Sequence, residues 1–258
     1  MGIKTIVFSA ALVLAAPLSL AQTDAESVDS TSPSAEVYDP FEGFNRAVFR
    51  FNNGLDRFIL KPVAKGYRAV TPNRVENGVT NIFGNLGEVG TIVNSVLQWK
   101  WGKAGNSTGR FLVNSTVGLV GIFDVAKSIG LPKKDGEDFG QTLATWGVGN
   151  GPYLMLPLLG PSNLRDGFGL GVDYFTDPVN YIDDSETQLG VSATRTINTR
   201  AQLLEVEEII SGDKYVFFRN AYMQRREFLV KDGEVEDDFG AGSDDFEGFD
   251  GFDDIELD

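Results

Sequence analysis

The sequence contains no cysteine and no histidine among its 258 residues. Without cysteine, the chain forms no disulfide, has no thiol nucleophile and offers no acceptor for a thioether-linked lipid. Without histidine, it lacks the commonest general base, the commonest zinc ligand and any Ser-His-Asp or Cys-His arrangement. These absences remove most of the usual parts of hydrolytic and metal-centred enzymes, so we expect no metal site and no cofactor, and a non-enzymatic role is favoured over a hydrolase.

Long apolar runs are scarce, and the one at the start has the pattern of a secretory signal. Lys4 gives a positive n-region, residues 6–16 are apolar, and Ser19-Leu20-Ala21 is a small-residue cleavage site. An uncleaved anchor is the alternative, but the run is shorter than the ~20 apolar residues of a spanning helix. Residues 1–21 are thus predicted to be a cleaved signal peptide, and the mature chain to be exported.

Basic stripes are also missing, which makes nucleic acid an improbable partner. The net charge is −15, and the acidic tail, residues 232–258, holds 13 acidic residues and no basic one. The tail lacks the spacing of an EF-hand or of a calcium β-roll, so we expect a solvated, disordered segment. Its spaced phenylalanines leave a weak partner-docking motif open. A small, polar leader at 22–37 is predicted to be disordered as well.

The body between these segments, residues 38–231, has mainly helical periodicity. Two apolar stripes recur at steps of three and four, one from Phe44 to Phe58 and one from Val75 to Val96. The second stripe is interleaved with glycines, which suggests a closely packed neighbouring helix. Residues 107–129 continue the apolar, glycine-rich pattern, and 196–210 and 213–230 are predicted to be amphipathic helices, with Asp213 as an N-cap.

No motif in the sequence gives a clear indication of nucleotide binding or of catalysis. The segment GVGNG at 147–151 and GFGLG at 167–171 lack the spacing of phosphate loops. Five carboxylates lie between residues 135 and 173, but pairing or capping explains them better than acid-base catalysis; they are Asp135, Glu137, Asp138, Asp166 and Asp173. The apolar run YLMLPLLGP at 153–161 contains Pro157, which disfavours a helix or a central strand. A buried loop and an irregular segment beside lipid both remain open.

Four segments in this order resemble the MlaA/VacJ family of outer-membrane phospholipid-transport proteins. They are YDPFEGFNRAVFRFN at 38–52, GRFLVNSTVGLVGIFDVA at 109–126, FGQTLATWGVGNGPYLMLPLLGPSNLRD at 139–166, and RAQLLEVEEII with DKYVFFRNAYMQRREFLV near the end. The similarity covers residues 38–231. The segments match over this length and in this order, which makes the resemblance specific.

The resemblance implies an all-α, ring-shaped helical domain embedded in one leaflet, at the periplasmic face of the outer membrane. Its amphipathic channel would remove mislocalised phospholipids from the outer leaflet and pass them to a soluble periplasmic lipid carrier. An outer-membrane porin trimer would be a partner. Family members are typically lipidated at an N-terminal cysteine that this sequence lacks. Amphipathic helices, with or without a porin, are therefore expected to hold the protein on the membrane.

The resemblance also suggests site residues, although a core or capping role competes for each. Contact with acyl chains or the bilayer is expected for Phe139, Tyr153, Leu154, Met155, Leu156, Leu158 and Leu159. Lipid headgroups are expected to meet Asn150, Asn163 and Arg165. Two other functions stay open, an envelope lipid hydrolase and a porin-associated structural protein without transport.

Overall fold

The computed structural model describes residues 38–204 and 212–234. The predicted signal peptide, the leader, residues 205–210 of the expected helix at 196–210 and most of the acidic tail lie outside these residues, so those predictions stay predictions. The predicted boundaries of the helical domain also remain a prediction.

Helices make up most of the described chain, which confirms the mainly helical fold class. They are α1 (Glu42–Leu55), a π-helical turn (Asp56–Leu60), α2 (Lys61–Val70), α3 (Asn73–Leu97), α4 (Trp101–Thr116), α5 (Val125–Ser128), α6 (Phe139–Thr145), α7 (Leu164–Asp173), a 3₁₀ turn (Pro178–Tyr181), α8 (Ser185–Gln202) and α9 (Lys214–Val230). Two short strands, β1 (Tyr153–Leu156) and β2 (Gly160–Asn163), form an antiparallel hairpin.

The apolar stripe of α1 faces outward. Phe44, Phe51 and Phe58 are all more than half exposed, whereas Val48 is buried. Asn45 is the other buried residue of this helix, and it is fully covered. The helix therefore packs through a mixed face that includes Asn45, Val48 and the half-buried Phe49, and it leaves Phe44 and Phe51 on the surface.

Helix α3 has the same inverted arrangement. Its exposed large residues are valines, among them Val75 and Val96, while Glu88 and Asn94 are buried. Glu88 accepts a hydrogen bond of 2.8 Å from Arg110 on the neighbouring helix α4. Arg110 is itself buried and also bonds the carboxylate of Asp124. A buried ion pair, rather than apolar packing alone, thus joins α3 to α4.

The helix expected over 107–129 ends at Thr116. Residues 117–124 turn back, with Leu119 and Val120 in the left-handed region at φ 52° and 60°. The side chain of Asp124 then caps α5 by accepting from the N–H of Lys127. This turn brings Asp124 back to Arg110, and the ion pair between the two residues fixes the reversal.

At the C-terminal side, α9 begins where the sequence predicts. Asp213 is its N-cap, and its carboxylate accepts from the N–H of Tyr215 at 2.9 Å. Helix α8 begins earlier than the expected segment at 196–210, because Asp184 caps it and accepts from the N–H of Thr187.

The prediction of an irregular backbone over 153–161 is wrong. Tyr153 pairs with Asn163 and Leu156 with Gly160, and Pro157 lies in the connecting turn. Both strands of a two-stranded hairpin are edge strands. Because an edge strand leaves some N–H groups unpaired, Pro161 is tolerated opposite Met155.

Polar residues outnumber apolar residues in the interior. Among the described residues, nine apolar and twenty polar or charged residues are buried, while 34 large apolar residues are exposed. An exposed apolar surface of this extent marks a place where a protein meets a partner or a lipid phase. No helix in the described part of the chain is long and apolar enough to cross a membrane.

Candidate functional site

A cleft of about 780 Å³ lies between α3, α8, the 3₁₀ turn and the tip of the hairpin. Its apolar side is formed by Phe83, Leu86, Leu159, Leu170 and Tyr174. Its polar side includes Lys133, Asp177, Arg195, Asn198 and Gln202. We call this cavity the amphipathic cleft. Apolar and charged side chains line it side by side, so it suits a ligand with both an apolar and a charged part.

Glycines of α3 form part of the floor of the amphipathic cleft. Gly84, Gly87 and Gly90 all line it, and a Cβ atom built on Gly87 meets nothing within 4 Å. A Cβ on Gly84 or on Gly90 would meet a side chain outside the helices, Lys133 at 3.1 Å or Thr176 at 3.3 Å, so the expected approach of a neighbouring helix at these glycines is wrong. That contact occurs elsewhere, between α7 and α6, where a Cβ on Gly169 would lie 2.6 Å from the backbone nitrogen of Gly140.

The polar side of the cleft is held in place by hydrogen bonds. Arg195 forms two hydrogen bonds with the carboxylate of Asp177, and its guanidinium lies 5.0 Å from the ring centroid of Phe83. Burial alone would raise the pKa of Asp177, but the Arg195 hydrogen bonds, the N–H of Val179 and the charge of Arg195 together outweigh burial and lower that pKa. Asn198 donates to Thr80 at 2.9 Å. These contacts keep a fixed ion pair at the boundary with the apolar side.

The hairpin carries six of the seven predicted lipid-contact residues on its strands and turn. Tyr153 and Met155 are buried in an apolar cluster with Val48 and Tyr215, so they pack rather than reach a surface. Leu154 and Leu156 are half-buried.

The tip of the hairpin is the exposed part. Leu158 and Leu159 are 69% and 70% exposed. Of the predicted residues, the structure brings only Leu159 to the amphipathic cleft. Phe139 is half-buried, lies outside the cleft lining and stacks edge-on against Trp146.

The predicted headgroup residues lie outside the cleft lining. Asn163 is fully buried as the N-cap of α7, where its side chain accepts from the N–H of Asp166. Arg165 is buried and paired with Asp166 at 2.9 Å. Asn150 is exposed, and its carbonyl oxygen accepts from the N–H of Arg165. Two of the three thus have structural contacts at the start of α7.

A buried ion cluster joins α6, α7 and α9 beneath the hairpin. The Arg226 guanidinium bonds Asp138 and, at 2.7 Å, Asp166. Tyr222 donates a hydrogen bond to Asp166 at 2.7 Å. Burial is the main reason that the pKa of Tyr222 is raised, and this hydrogen bond is the second reason. Burial would raise the pKa of Asp138, but hydrogen bonds and charge from Arg226 lower it.

The other carboxylates that the sequence offered for acid-base catalysis also have ion-pair or hydrogen-bond partners. The side chain of Glu137 is fully covered and paired with Lys100 and Lys103, and Asp135 pairs with Arg225. Asp173 accepts from the N–H of Phe139 at 3.0 Å, although burial still raises its pKa. Within residues 38–204 and 212–234, no cluster of three or more metal-ligating side chains could hold a metal ion.

A sequence profile for the family described as MlaA lipoprotein matches residues 37–229. The chain belongs to the MlaA family. The intermembrane phospholipid transport system lipoprotein MlaA of Escherichia coli K12 is 38% identical over 202 residues, which cover 76% of this chain and 80% of that protein. Its counterpart in Haemophilus influenzae is 31% identical over 229 residues, which cover 86% and 92% of the two chains.

A solved structure described as the structural basis for maintenance of bacterial outer membrane lipid asymmetry also matches this MlaA-family chain. The TM-score is 0.67 at 38% sequence identity, and the match covers 74% of this chain and 98% of that chain. The MlaA relatives are named lipoproteins, whereas the 258 residues here contain no cysteine.

Residues of α3 and α8 that line the cleft were missed in the sequence. The signal for α3 was present, since Gly84, Gly87 and Gly90 recur at three-residue spacing and make one helix face concave. For α8, Arg195 and Asn198 also follow a three-residue spacing, but charged positions on a helix usually indicate a solvated face. Only the tertiary arrangement shows that they border a cavity.

Proposed function

We propose that this chain is a non-enzymatic component of intermembrane phospholipid transport. It takes mislocalised phospholipids from the outer leaflet of the outer membrane and releases them on the periplasmic side to a soluble lipid carrier. The amphipathic cleft, in a chain of the MlaA family, is the observation that carries this proposal.

The lining of the amphipathic cleft suits the movement of a phospholipid, which has a charged headgroup and apolar acyl chains. A charged headgroup is costly to move through about 30 Å of hydrocarbon, because it loses its hydration there. The polar side with Arg195 and Asp177 substitutes for part of that hydration, while Phe83 and Leu159 cover the acyl chains. A phospholipid bound in this way keeps both of its parts in a favourable environment.

The exterior supports a position within one leaflet. Phe44, Phe51 and Phe58 form an exposed apolar stripe, with successive members about two helical turns apart. Such a face inserts into the interfacial region of a bilayer without spanning it. This stripe supplies membrane attachment that needs no lipidated cysteine, and a porin trimer at the same surface is the partner we propose to complete it.

The proposed lipid contacts narrow to the exposed end of the hairpin. Leu158 and Leu159 meet acyl chains, Leu154 and Leu156 border them, and the buried Tyr153 and Met155 support the hairpin from below. Phe139, Asn163 and Arg165 act through packing and capping. Asn150 has the exposed side chain that a headgroup contact requires.

Deletion of the gene from its own host tests the function. The account predicts phospholipid in the outer leaflet, measured with a membrane-impermeant lipid reagent, together with detergent sensitivity, and the full chain restores both. Unchanged lipid and unchanged detergent sensitivity would overturn the proposal. Fatty acid released from phospholipid by the purified protein would instead indicate a hydrolase, and purification without bound lipid would favour a purely structural role.

A further inference from the structure

A second cavity, of about 470 Å³, is rich in lysine. Lys100, Lys103, Lys133 and Lys134 line it, and Phe228 and Leu229 of α9 give it an apolar edge. We call this cavity the lysine cleft. Four cationic side chains converge here, whereas the body of the chain outside the acidic tail is close to neutral.

Two of these four lysines have no carboxylate partner among the residues that the structure describes. The covered carboxylate of Glu137 lies 3.1 Å from Lys100 and also contacts Lys103. Asp135, at the rim, is paired with Arg225 at 2.7 Å. Lys133 and Lys134 are exposed, and no carboxylate in the described residues lies within ion-pair distance of either.

The chain leaves α9 inside the lysine cleft. Asp232 lies 2.7 Å from the Nζ of Lys100 and 3.7 Å from that of Lys103. The N–H of Gly233 then donates to the carbonyl oxygen of Phe228 at 2.9 Å, with Gly233 at φ +88°. The first residue of the acidic tail thus already occupies the cleft, and the rest of the tail begins at its edge.

The remaining tail has the composition that complements this cavity. Residues 235–258 contain eleven acidic residues, four phenylalanines and no basic residue. Carboxylates suit Lys133 and Lys134, and a phenylalanine suits the apolar edge at Phe228 and Leu229. Because the segment continues directly from Glu234 at the cavity, this covalent tether gives it an effective concentration of about millimolar.

We propose that residues 235–258 of the acidic tail dock back into the lysine cleft of their own chain. A single surface ion pair contributes no more than about 1 kcal/mol, so docking depends on several pairs, the phenylalanines and the tether together. The docked tail shields Lys133 and Lys134 from other anions. Salt opens the cleft, since the Debye length falls to about 3 Å at 1 M. This proposal is independent of lipid transport.

Lysine acetylation followed by mass spectrometry tests the docking. The full chain and a chain ending at Glu234 are labelled in neutral detergent at low salt, with exposed Lys65 on α2 as the internal control. We expect Lys133 and Lys134 to react several-fold more slowly in the full chain, and Lys65 to react equally in both. High salt should remove the difference. As a control for folding, the circular dichroism spectra and the melting temperatures of the two chains should be equal.

Zero-length carbodiimide cross-linking identifies the occupant. We expect cross-links from Lys133 or Lys134 to carboxylates of residues 236–258, within one chain of an isotopically mixed sample. Equal acetylation rates of these lysines at low salt would overturn the proposal. Cross-links confined to pairs of different chains would also overturn it, in favour of docking between copies.

Discussion

The side chain of Asn45 takes the place of a neighbouring strand for Met155. Its Oδ1 accepts from the N–H of Met155 at 2.8 Å, and its Nδ2 donates to the carbonyl oxygen of Tyr153 at 3.0 Å. Two turns later on α1, Asn52 repeats the pattern, donating to Leu156 and accepting from Leu158. One helix thus satisfies the open edge of β1 and fixes the position of the hairpin whose tip borders the amphipathic cleft.

Asn45→Ala should destabilise the protein more than Asn52→Ala. Asn45 is fully buried, so its loss leaves two backbone groups of β1 unpaired away from water, at a cost of roughly 3 kcal/mol. Asn52 is half-buried, and water can replace its amide, so we expect a loss below about 1 kcal/mol. Guanidinium unfolding measures both, with exposed Asn53→Ala as the control. Equal losses for Asn45 and Asn52 would contradict this role.

Arg226→Met should destabilise the protein and change its pH dependence. The variant leaves Asp138 without its cation and Asp166 with Arg165 alone, at a cost of about 3–5 kcal/mol near pH 7. The pKa of Asp138 then rises above that of the unfolded chain, because burial raises it and Arg226 no longer lowers it. The variant therefore regains stability as the pH falls from 7 to 5, because protonation removes the unpaired charges.

The unsubstituted protein should behave in the opposite way. Its Asp138 pKa is lowered in the fold, so the stability from this group is present above the unfolded pKa of about 3.9 and is lost as the pH falls through the lowered value. Unfolding at pH 7, 6 and 5 separates the two curves. Arg225→Met, which breaks an exposed pair with Asp135, serves as control and should cost less than about 1 kcal/mol. Parallel curves for Arg226→Met and the unsubstituted protein would refute the cluster's role.

Periodicity predicted the helices well but not their orientation. The stripe from Phe44 to Phe58 indicated α1, and Asp213 indicated the start of α9. An apolar stripe shows that a helix has two faces, and it does not show which face the surroundings cover. Which face is buried against the protein depends on whether the other face meets water or lipid. Here the buried face of α1 holds Asn45 and the apolar face is exposed.

The hairpin and the cleft could not be derived from local sequence. Pro157 argued against a helix or a central strand, and it lies in the turn between β1 and β2, while the edge strand β2 tolerates Pro161. Asn163 and Arg165 had the chemistry of headgroup ligands, whereas the structure uses them at the start of α7. The amphipathic cleft depends on residues more than 100 positions apart, such as Phe83 and Arg195. Only the resemblance to a family pointed to its function.

Serine at Phe51 and Phe58 should weaken membrane binding. Each side chain is more than half exposed, and burying a phenylalanine in hydrocarbon contributes about 1.5–3 kcal/mol. The double substitution should therefore lower partitioning into phospholipid vesicles by at least about 100-fold in a flotation assay. Buried Val48→Ala is the control, because it should lower stability and leave partitioning unchanged. Full vesicle binding by the folded double variant would exclude this stripe as the attachment surface.

The central claim is that phospholipid passes through the amphipathic cleft, and Gly87→Trp tests it most directly. A Cβ on Gly87 meets nothing within 4 Å, so tryptophan fills the cleft without straining the helix. Gly105→Trp on α4 is the matched control, since that glycine is equally open but lies outside the cleft lining. The measurement is outer-leaflet phospholipid in deletion cells that carry each variant at equal abundance. The account predicts that Gly105→Trp restores asymmetry and that Gly87→Trp leaves phospholipid in the outer leaflet. Full restoration by Gly87→Trp would contradict it.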